Sequence, residues 1–357
     1  MQDKNSYLRF VNTETKPLNV VHQPFFFMKA IIPVAGAGTR LRPHTYTQPK
    51  ALIPVAGKVL LSFIIEPLEK AGIKDFIFII GYLGDKIQDY VEEKHPNIHC
   101  SFVQQNVREG SGQAILLARE LVGSDEAFIN MGDTICEFDL QAMIDNPVSV
   151  LGVKKVDDPR NFGVAVIDDA GRISQVVEKP QIPKSNMALV GIYKIRETQQ
   201  LFDSLEYLLK EKQKSHDEYQ LTDALQRMIE QDVAFTAQKV SNWFDCGKKD
   251  TLLEANSTLL KKRVPDQSPD VPYENTIIVP PVSIAAGCDI KDAIIGPNVT
   301  IGENSVIKYS IVKNSIIGSY SRLYDVVLNN SIIGSDANIH GLTQSLNIGD
   351  NTEIDLR

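Results

Sequence analysis

Cysteine is scarce in this sequence, and the four that occur are far apart. Cys100, Cys136, Cys246 and Cys288 follow no zinc-ligand spacing and make no disulfide framework, so a reducing, cytoplasmic setting is expected. Positive charge is not in excess either. The 357 residues carry a formal net charge of −8, which argues against a broad nucleic-acid-binding surface and leaves room only for local clusters of Arg and Lys. No apolar run reaches the length that crosses a bilayer, so no membrane attachment is expected. Residues 1–27 end in Pro24-Phe25-Phe26-Phe27 and lack the basic start, apolar core and small-residue cleavage site of a signal peptide. Two phosphate motifs are missing as well. Nothing fits the Gly, four residues, Gly-Lys-Ser/Thr pattern of a P-loop, and Leu41 stands where a dinucleotide fingerprint from Gly36 needs its third Gly. What the composition does supply is 43% hydrophobic and 23% charged residues, over a length that allows two or three domains with a sizeable core.

One stretch organises the rest: Pro33-Val34-Ala35-Gly36-Ala37-Gly38-Thr39-Arg40-Leu41-Arg42-Pro43, with Lys50 shortly after. Before it, Lys29-Ala30-Ile31-Ile32 reads as a short strand. After it, Val59 to Ala71 is apolar at helical spacing, with Leu61, Ile64, Ile65 and Leu68 on one face. Small residues between a strand and a helix let backbone N–H groups approach an anion, and fixed cations can close over it. The longer string Gly36-x-Gly38-Thr39-Arg40-Leu41-x-Pro43-x-Thr45, with Pro49-Lys50 and Pro54-Val55, resembles the signature loop of the sugar-1-phosphate nucleotidylyltransferases. That family includes glucose-1-phosphate thymidylyltransferases and uridylyltransferases. By the same resemblance Met28-Lys29-Ala30-Ile31-Ile32-Pro33 looks like a native start, so residues 1–27 are expected to be an N-terminal extension or an artefact of start-codon choice.

From Met28 to about Val156, strands and amphipathic helices alternate. Phe76 to Ile80 is a continuous apolar run, as in a buried parallel strand, and one helix is predicted over 111–122. Repeated βα units predict an α/β fold with a doubly wound, mostly parallel, Rossmann-like sheet whose ligands lie at the carboxyl ends of strands. Short β segments follow from Asn161 to Tyr193. The expected divisions are a nucleotidyltransferase catalytic domain over 28–263, a Pro- and Asp-rich linker over 264–274, and a repeat domain over 275–357. In the repeats, Ile-Gly pairs recur at Ile295, Ile301, Ile317, Ile333 and Ile348, and hexapeptide pairs join Ile295/Ile301, Ile317/Leu323, Ile333/Ile339 and Ile348/Ile354. This indicates a solenoid with apolar corners turned inward, and it resembles the left-handed parallel β-helix of hexapeptide-repeat proteins. The coils look irregular, since Ile-Gly pairs from Ile301 onward lie 16, 16 and 15 residues apart. An open solenoid end invites subunit packing, so a homo-oligomer is expected.

The reaction the resemblance implies joins a sugar-1-phosphate to a nucleoside triphosphate and releases pyrophosphate. It makes few demands on acid–base groups, because a phosphomonoester with a second pKa of about 6 is already ionised near neutral pH. The obstacle is bringing two polyanions together, which calls for cations and oriented N–H groups. By resemblance, Ala35, Gly36, Gly38, Thr39 and Arg40 bind the nucleotide, and Lys50 contacts the phosphates at the reacting centre. Asp133, in Asn130-Met131-Gly132-Asp133, and Asp245, in Trp243-Phe244-Asp245-Cys246-Gly247, match the family's metal-binding aspartates. They would hold Mg²⁺, a hard ion that needs only one or two carboxylates. Read alone, either Asp could equally cap a turn or a helix. Arg40, Lys50 and Asp133 are the expected catalytic set.

Gln105 and Gly110 fall at the spacing with which the family reads a pyrimidine edge, with Gln104 as the fallback for the first. Gly163, Glu178, Lys179, Asn186 and Gly191 match the stretches that meet the sugar phosphate. The resemblance therefore implies UTP or dTTP as the favoured nucleotide and glucose-1-phosphate as the favoured acceptor. Two alternatives stand beside it: a mannose-1-phosphate guanylyltransferase, and a non-catalytic regulatory or scaffold relative that binds sugar nucleotides. The latter should have lost a phosphate cation or a metal Asp, yet Arg40, Lys50, Asp133, Glu178, Lys179 and Asp245 are all present. Acyl transfer by the solenoid would need a His between coils. Only His340 occurs in the repeats, so a structural or oligomerising role is expected there.

Overall fold

The computed structural model describes residues 27–263, 273–344 and 346–355. The expected N-terminal extension, apart from Phe27, and residues 264–272 of the expected linker lie outside them.

In chain order the α/β domain begins with β1 (Met28–Pro33), a small hairpin of β2 (Pro54–Val55) and β3 (Lys58–Val59), α1 (Leu60–Lys70), β4 (Asp75–Ile80), α2 (Gly84–Lys94) and β5 (His99–Gln104). It continues with α3 (Ser111–Leu116), α4 (Arg119–Val122), β6 (Glu126–Asn130), β7 (Thr134–Glu137), α5 (Leu140–Ile144), β8 (Ser149–Lys155), β9 (Gly163–Ile167), β10 (Ile173–Glu178) and β11 (Met187–Ile195). It closes with α6 (Thr198–Lys210), α7 (Leu221–Glu230), β12 (Phe235–Lys239), β13 (Asn242–Asp245) and α8 (Lys249–Arg263).

The main sheet runs β10-β9-β11-β6-β1-β4-β5, with β8 on β11 and β12 on β8. Strands β6, β1, β4 and β5 are parallel. β1 lies at their centre, with Ala30, Ile31 and Ile32 fully buried, which is why this strand reads as an unbroken apolar run. The other half of the sheet is mixed: β11 is antiparallel to β6, β8 and β9, and β9 to β10. The β9–β10 connection is a tight turn in which the Asp168 carboxylate accepts the N–H groups of Ala170 and Arg172. So short a link permits only antiparallel pairing.

The helix predicted over 111–122 is two helices. Leu117 and Ala118 donate only three residues back, to Ala114 and Ile115, and this tightened turn separates α3 from α4. Helices cover both faces of the sheet. Leu60, Leu61, Ile64, Ile65 and Leu68 of α1 are buried in one core, and Leu201, Phe202 and Leu205 of α6 in the other.

Residues 277–355 form a parallel-stranded β-helix. Ile284, Ile301, Ile317, Ile333 and Ile348 stack in register, so successive coils are 17, 16, 16 and 15 residues long. The uneven spacing in the sequence is thus the coil length itself. Corner residues Asn298, Asn304, Asn314, Asp336 and Asn351 take left-handed backbone, which Asn and Asp tolerate best after Gly. The Asn298 amide donates to Asn314 at 2.8 Å, and the Asn314 amide to Asn329 at 3.0 Å.

The β-helix packs against the α/β domain. Ile316 and Ile332 join the same apolar cluster as Leu41 and Ile53. Asn256 of α8, wholly buried, accepts from the Ala56 N–H at 2.8 Å and the Thr300 hydroxyl at 2.6 Å, and donates to the Asn298 carbonyl at 3.1 Å. Among the described residues no helix is long and apolar enough to cross a membrane.

Candidate active site

Because β1 and β6 are parallel neighbours, their carboxyl ends lie side by side, and the Gly132 N–H donates to the Pro33 carbonyl at 3.2 Å. The phosphate-type loop after β1 and the Asp133 turn after β6 therefore share one edge. A second, two-stranded ribbon brings in the distant acid. β7 and β13 pair antiparallel with Thr134 opposite Asp245, and the Cys246 N–H donates to the Asp133 carbonyl at 3.0 Å. Asp133, Asp245 and Arg40 line one cavity of about 290 Å³. Gly247 leaves room beside them: a Cβ there would stand 2.6 Å from the Arg40 guanidinium and 2.8 Å from the Asp245 carboxylate, so either side chain would have to shift.

Lys50 places its ammonium 2.7 Å from the Asp133 carboxylate. Burial alone pushes the Asp133 carboxyl up. The charge and hydrogen bond of Lys50, followed by the charge of Arg40, outweigh it and hold the group below the ordinary carboxylate value. Asp133 is therefore ionised, and Lys50 is oriented by it.

Glu178, Lys179, Gly163 and Gly191 line the same cavity. Glu178 ends β10 opposite Gly163, and its carboxylate accepts the Thr222 hydroxyl at 2.8 Å. Lys179 has left-handed backbone, φ +39°, fixed by its N–H donating to the Phe162 carbonyl at 3.0 Å. Such strain at a cavity wall is a mark of functional sites. The remaining expected residues are placed differently. Of the loop, Arg40 alone lines the cavity; Ala35 is buried, while Gly36 and Thr39 are exposed. Gln105 is buried at the end of β5, its amide donating to Gln113 at 2.6 Å, and Gly110 immediately precedes the cavity-lining Ser111. Asn186 stands off the cavity wall: it is exposed, and its carbonyl accepts the Val156 N–H at 3.0 Å.

The sequence profile described as Nucleotidyl transferase matches residues 29–262. The chain belongs to the nucleotidyl transferase family. It is 39% identical to the bifunctional protein GlmU of Methanocaldococcus jannaschii, over 73% of this chain and 61% of that protein. The chain thus spans less than two thirds of the length of that relative. It is 29% identical to a glucose-1-phosphate thymidylyltransferase of Streptomyces griseus, over 81% of this chain and 87% of the other. A UDP-glucose pyrophosphorylase solved with UDP-glucose aligns with a TM-score of 0.59 at 24% identity, over 67% of this chain and 100% of that one, which establishes the shared fold.

The wall of the cavity also holds residues to which the sequence alone assigns no role. Ser111, Gln220, Thr222 and Trp243 all line it. Trp243 packs edge-on against Phe162 at 4.7 Å, and its buried Nε1–H has no acceptor among the described residues. The one available signal for Gln220 and Thr222 is a polar cluster at the start of the amphipathic α7. The acids at 133 and 245 also suit a hard cation. Among the described residues no group of three His, Cys, Asp or Glu could hold a metal. Two carboxylates without nitrogen or sulfur partners fit an ion that keeps water and phosphate oxygens as its other ligands.

Proposed function

We propose that this protein transfers a nucleotidyl group from a nucleoside triphosphate, UTP or dTTP, to glucose-1-phosphate, forming a nucleoside-diphosphate sugar and pyrophosphate. The observation that carries this reading is the meeting of Arg40, Asp133 and Asp245 at one cavity that Glu178 and Lys179 also line, with Lys50 held against Asp133 behind it. The choice of pyrimidine is supported by Gln105 and by the string Gly110-Ser111-Gly112-Gln113-Ala114, and the choice of glucose by the likeness to the thymidylyltransferase.

An oxygen of the sugar phosphate attacks the α-phosphorus of the triphosphate. A new P–O bond forms, the bond to the α,β-bridging oxygen breaks, and pyrophosphate leaves with the electron pair. No proton need move, so the work falls to charge and position. The loop N–H groups and Arg40 bind the triphosphate. Lys50, aimed by Asp133, balances charge at the reacting phosphate. Glu178, held by Thr222, accepts hydrogen bonds from sugar hydroxyls, and Lys179 pairs with the sugar phosphate. Asp133 and Asp245 would hold Mg²⁺, which when bound neutralises phosphate charge.

The test is a matrix of UTP, dTTP, CTP, ATP and GTP against glucose-, N-acetylglucosamine- and mannose-1-phosphate with Mg²⁺, read by pyrophosphate release. Turnover is expected with UTP or dTTP and glucose-1-phosphate. Release only with GTP and mannose-1-phosphate, or with no pair, overturns the reading. We also propose a homo-oligomer packed through the β-helix; a monomer mass by light scattering would refute it.

A further inference from the structure

We propose that the last described coil of the β-helix is a part of the nucleotide site, with Asn347 and Asp350 as positioning residues that hold the triphosphate loop in shape. This rests on the reading above, in which the loop after β1 binds the triphosphate.

The argument starts at Gly38. Its backbone is left-handed, φ +60°, and its carbonyl accepts the Thr45 hydroxyl at 2.9 Å. A Cβ on Gly38 would stand 2.8 Å from Thr45 Cγ2 and 3.2 Å from Lys50 Cβ. The loop therefore rests on Thr45 and on the stem of Lys50. Thr45 belongs to a single 3₁₀ turn, His44–Tyr46, which has too few internal hydrogen bonds to be rigid alone.

That turn is held from the β-helix. The His44 imidazole, 4% exposed, donates from Nε2 to the Asn347 side-chain oxygen. The Thr47 hydroxyl donates to one oxygen of Asp350. Pro43 packs on Gly349, where an added Cβ would meet the proline ring at 3.0 Å. Asp350 is itself fixed, because its other oxygen accepts the Ser335 N–H of the preceding coil at 2.7 Å. From the α/β domain, Tyr82 and Lys86 also reach this turn, donating to the Tyr46 and Thr47 carbonyls, but both bonds are exposed to water. The polar restraints that are partly shielded from water come from the coil, and that shielding makes them stronger than the exposed ones. Glu178 and Lys179, by contrast, are held by Thr222 and Phe162 of the α/β domain. Loosening the coil should therefore disturb the triphosphate and spare the sugar phosphate.

The experiment uses the full chain and steady-state kinetics by pyrophosphate release. Asn347→Ala and Asp350→Ala are expected to raise KM for the nucleoside triphosphate about tenfold, with KM for glucose-1-phosphate within about twofold of wild type. Asp350→Asn keeps an acceptor oxygen for the Ser335 N–H and turns its amide N–H to the Thr47 hydroxyl, which can accept as well as donate, so it should recover most of the loss. An unchanged triphosphate KM, or both KM values rising together with a lowered Tm, overturns the proposal in favour of a merely structural contact. If Asp350→Ala does not fold, Thr47→Val removes the same bond from the other side and is held to the same outcomes. A wild-type chain that turns over no pair in the matrix overturns the functional reading and this proposal with it. An active wild type with no KM split overturns this proposal alone.

Discussion

The Lys50 ammonium lies 2.7 Å from the carboxylate of Asp133, although one follows the loop after β1 and the other the turn after β6. Each orients the other, and Arg40 adds a second positive charge. Asp133→Asn and Lys50→Ala are each expected to lower turnover by on the order of 100-fold or more, as for loss of an electrostatic group at a reacting centre. Tm should change little. Pyrophosphate release and thermal melting, measured together, check this, and turnover near wild type in both variants would refute the assignment.

Thr222 aims Glu178 through a 2.8 Å hydrogen bond. Thr222→Val keeps the shape and removes the donor. A hydrogen bond to a charged group contributes enough that KM for the sugar phosphate should rise about tenfold. KM for the triphosphate is expected to stay put, and a change confined to the triphosphate would contradict the placement of Glu178 at the sugar.

Burial pushes the His44 imidazole below its ordinary value of 6.5; the Asn347 hydrogen bond and the Asp350 charge act the other way without reversing it. Lys86 lines the same cavity between the two domains. With a depressed folded-state pKa, the unfolded chain binds more protons as pH falls below about 6.5, so stability is full above that pH and declines towards the folded-state pKa. Tm of the wild type should fall between about pH 7.5 and 5.5, and His44→Gln should flatten part of that slope. Identical slopes in the two proteins would show that His44 contributes nothing to it.

Asn256 joins α8, the β2–β3 hairpin and the β-helix with one side chain. Asn256→Leu removes three hydrogen bonds at once, and a loss of about 3 kcal/mol is expected in urea unfolding. A loss below about 1 kcal/mol would mean that water replaces the amide at little cost.

The parts of this molecule written in local pattern are legible in its sequence. Strand β1 and its Gly-rich loop announce themselves by composition, and the repeats by the recurrence of Ile-Gly. What is built by pairing across long separations is not. Thr134 to Glu137 and Asn242 to Asp245 carry no strand signal strong enough to be read alone, yet their ribbon is what brings Asp133 and Asp245 to one cavity. Thr222 has no motif, and its partner Glu178 comes from a distant element, the end of strand β10. The contacts of His44 and Thr47 with Asn347 and Asp350 depend on how the two domains dock. Asn186 is expected at the sugar from its motif neighbourhood alone; the residue is exposed and is not among those that line the cavity.

The β7–β13 ribbon has a consequence for biosynthesis. During translation Asp133 emerges well before Asp245, and at about 5–20 residues per second it waits on the order of ten seconds for its counterpart. Throughout that interval every strand of the parallel half, β6, β1, β4 and β5, has already been made, whereas the ribbon that brings in the second acid has not. Nascent chains that stop short of β13 should therefore lack the divalent-cation site that Asp133 and Asp245 would make.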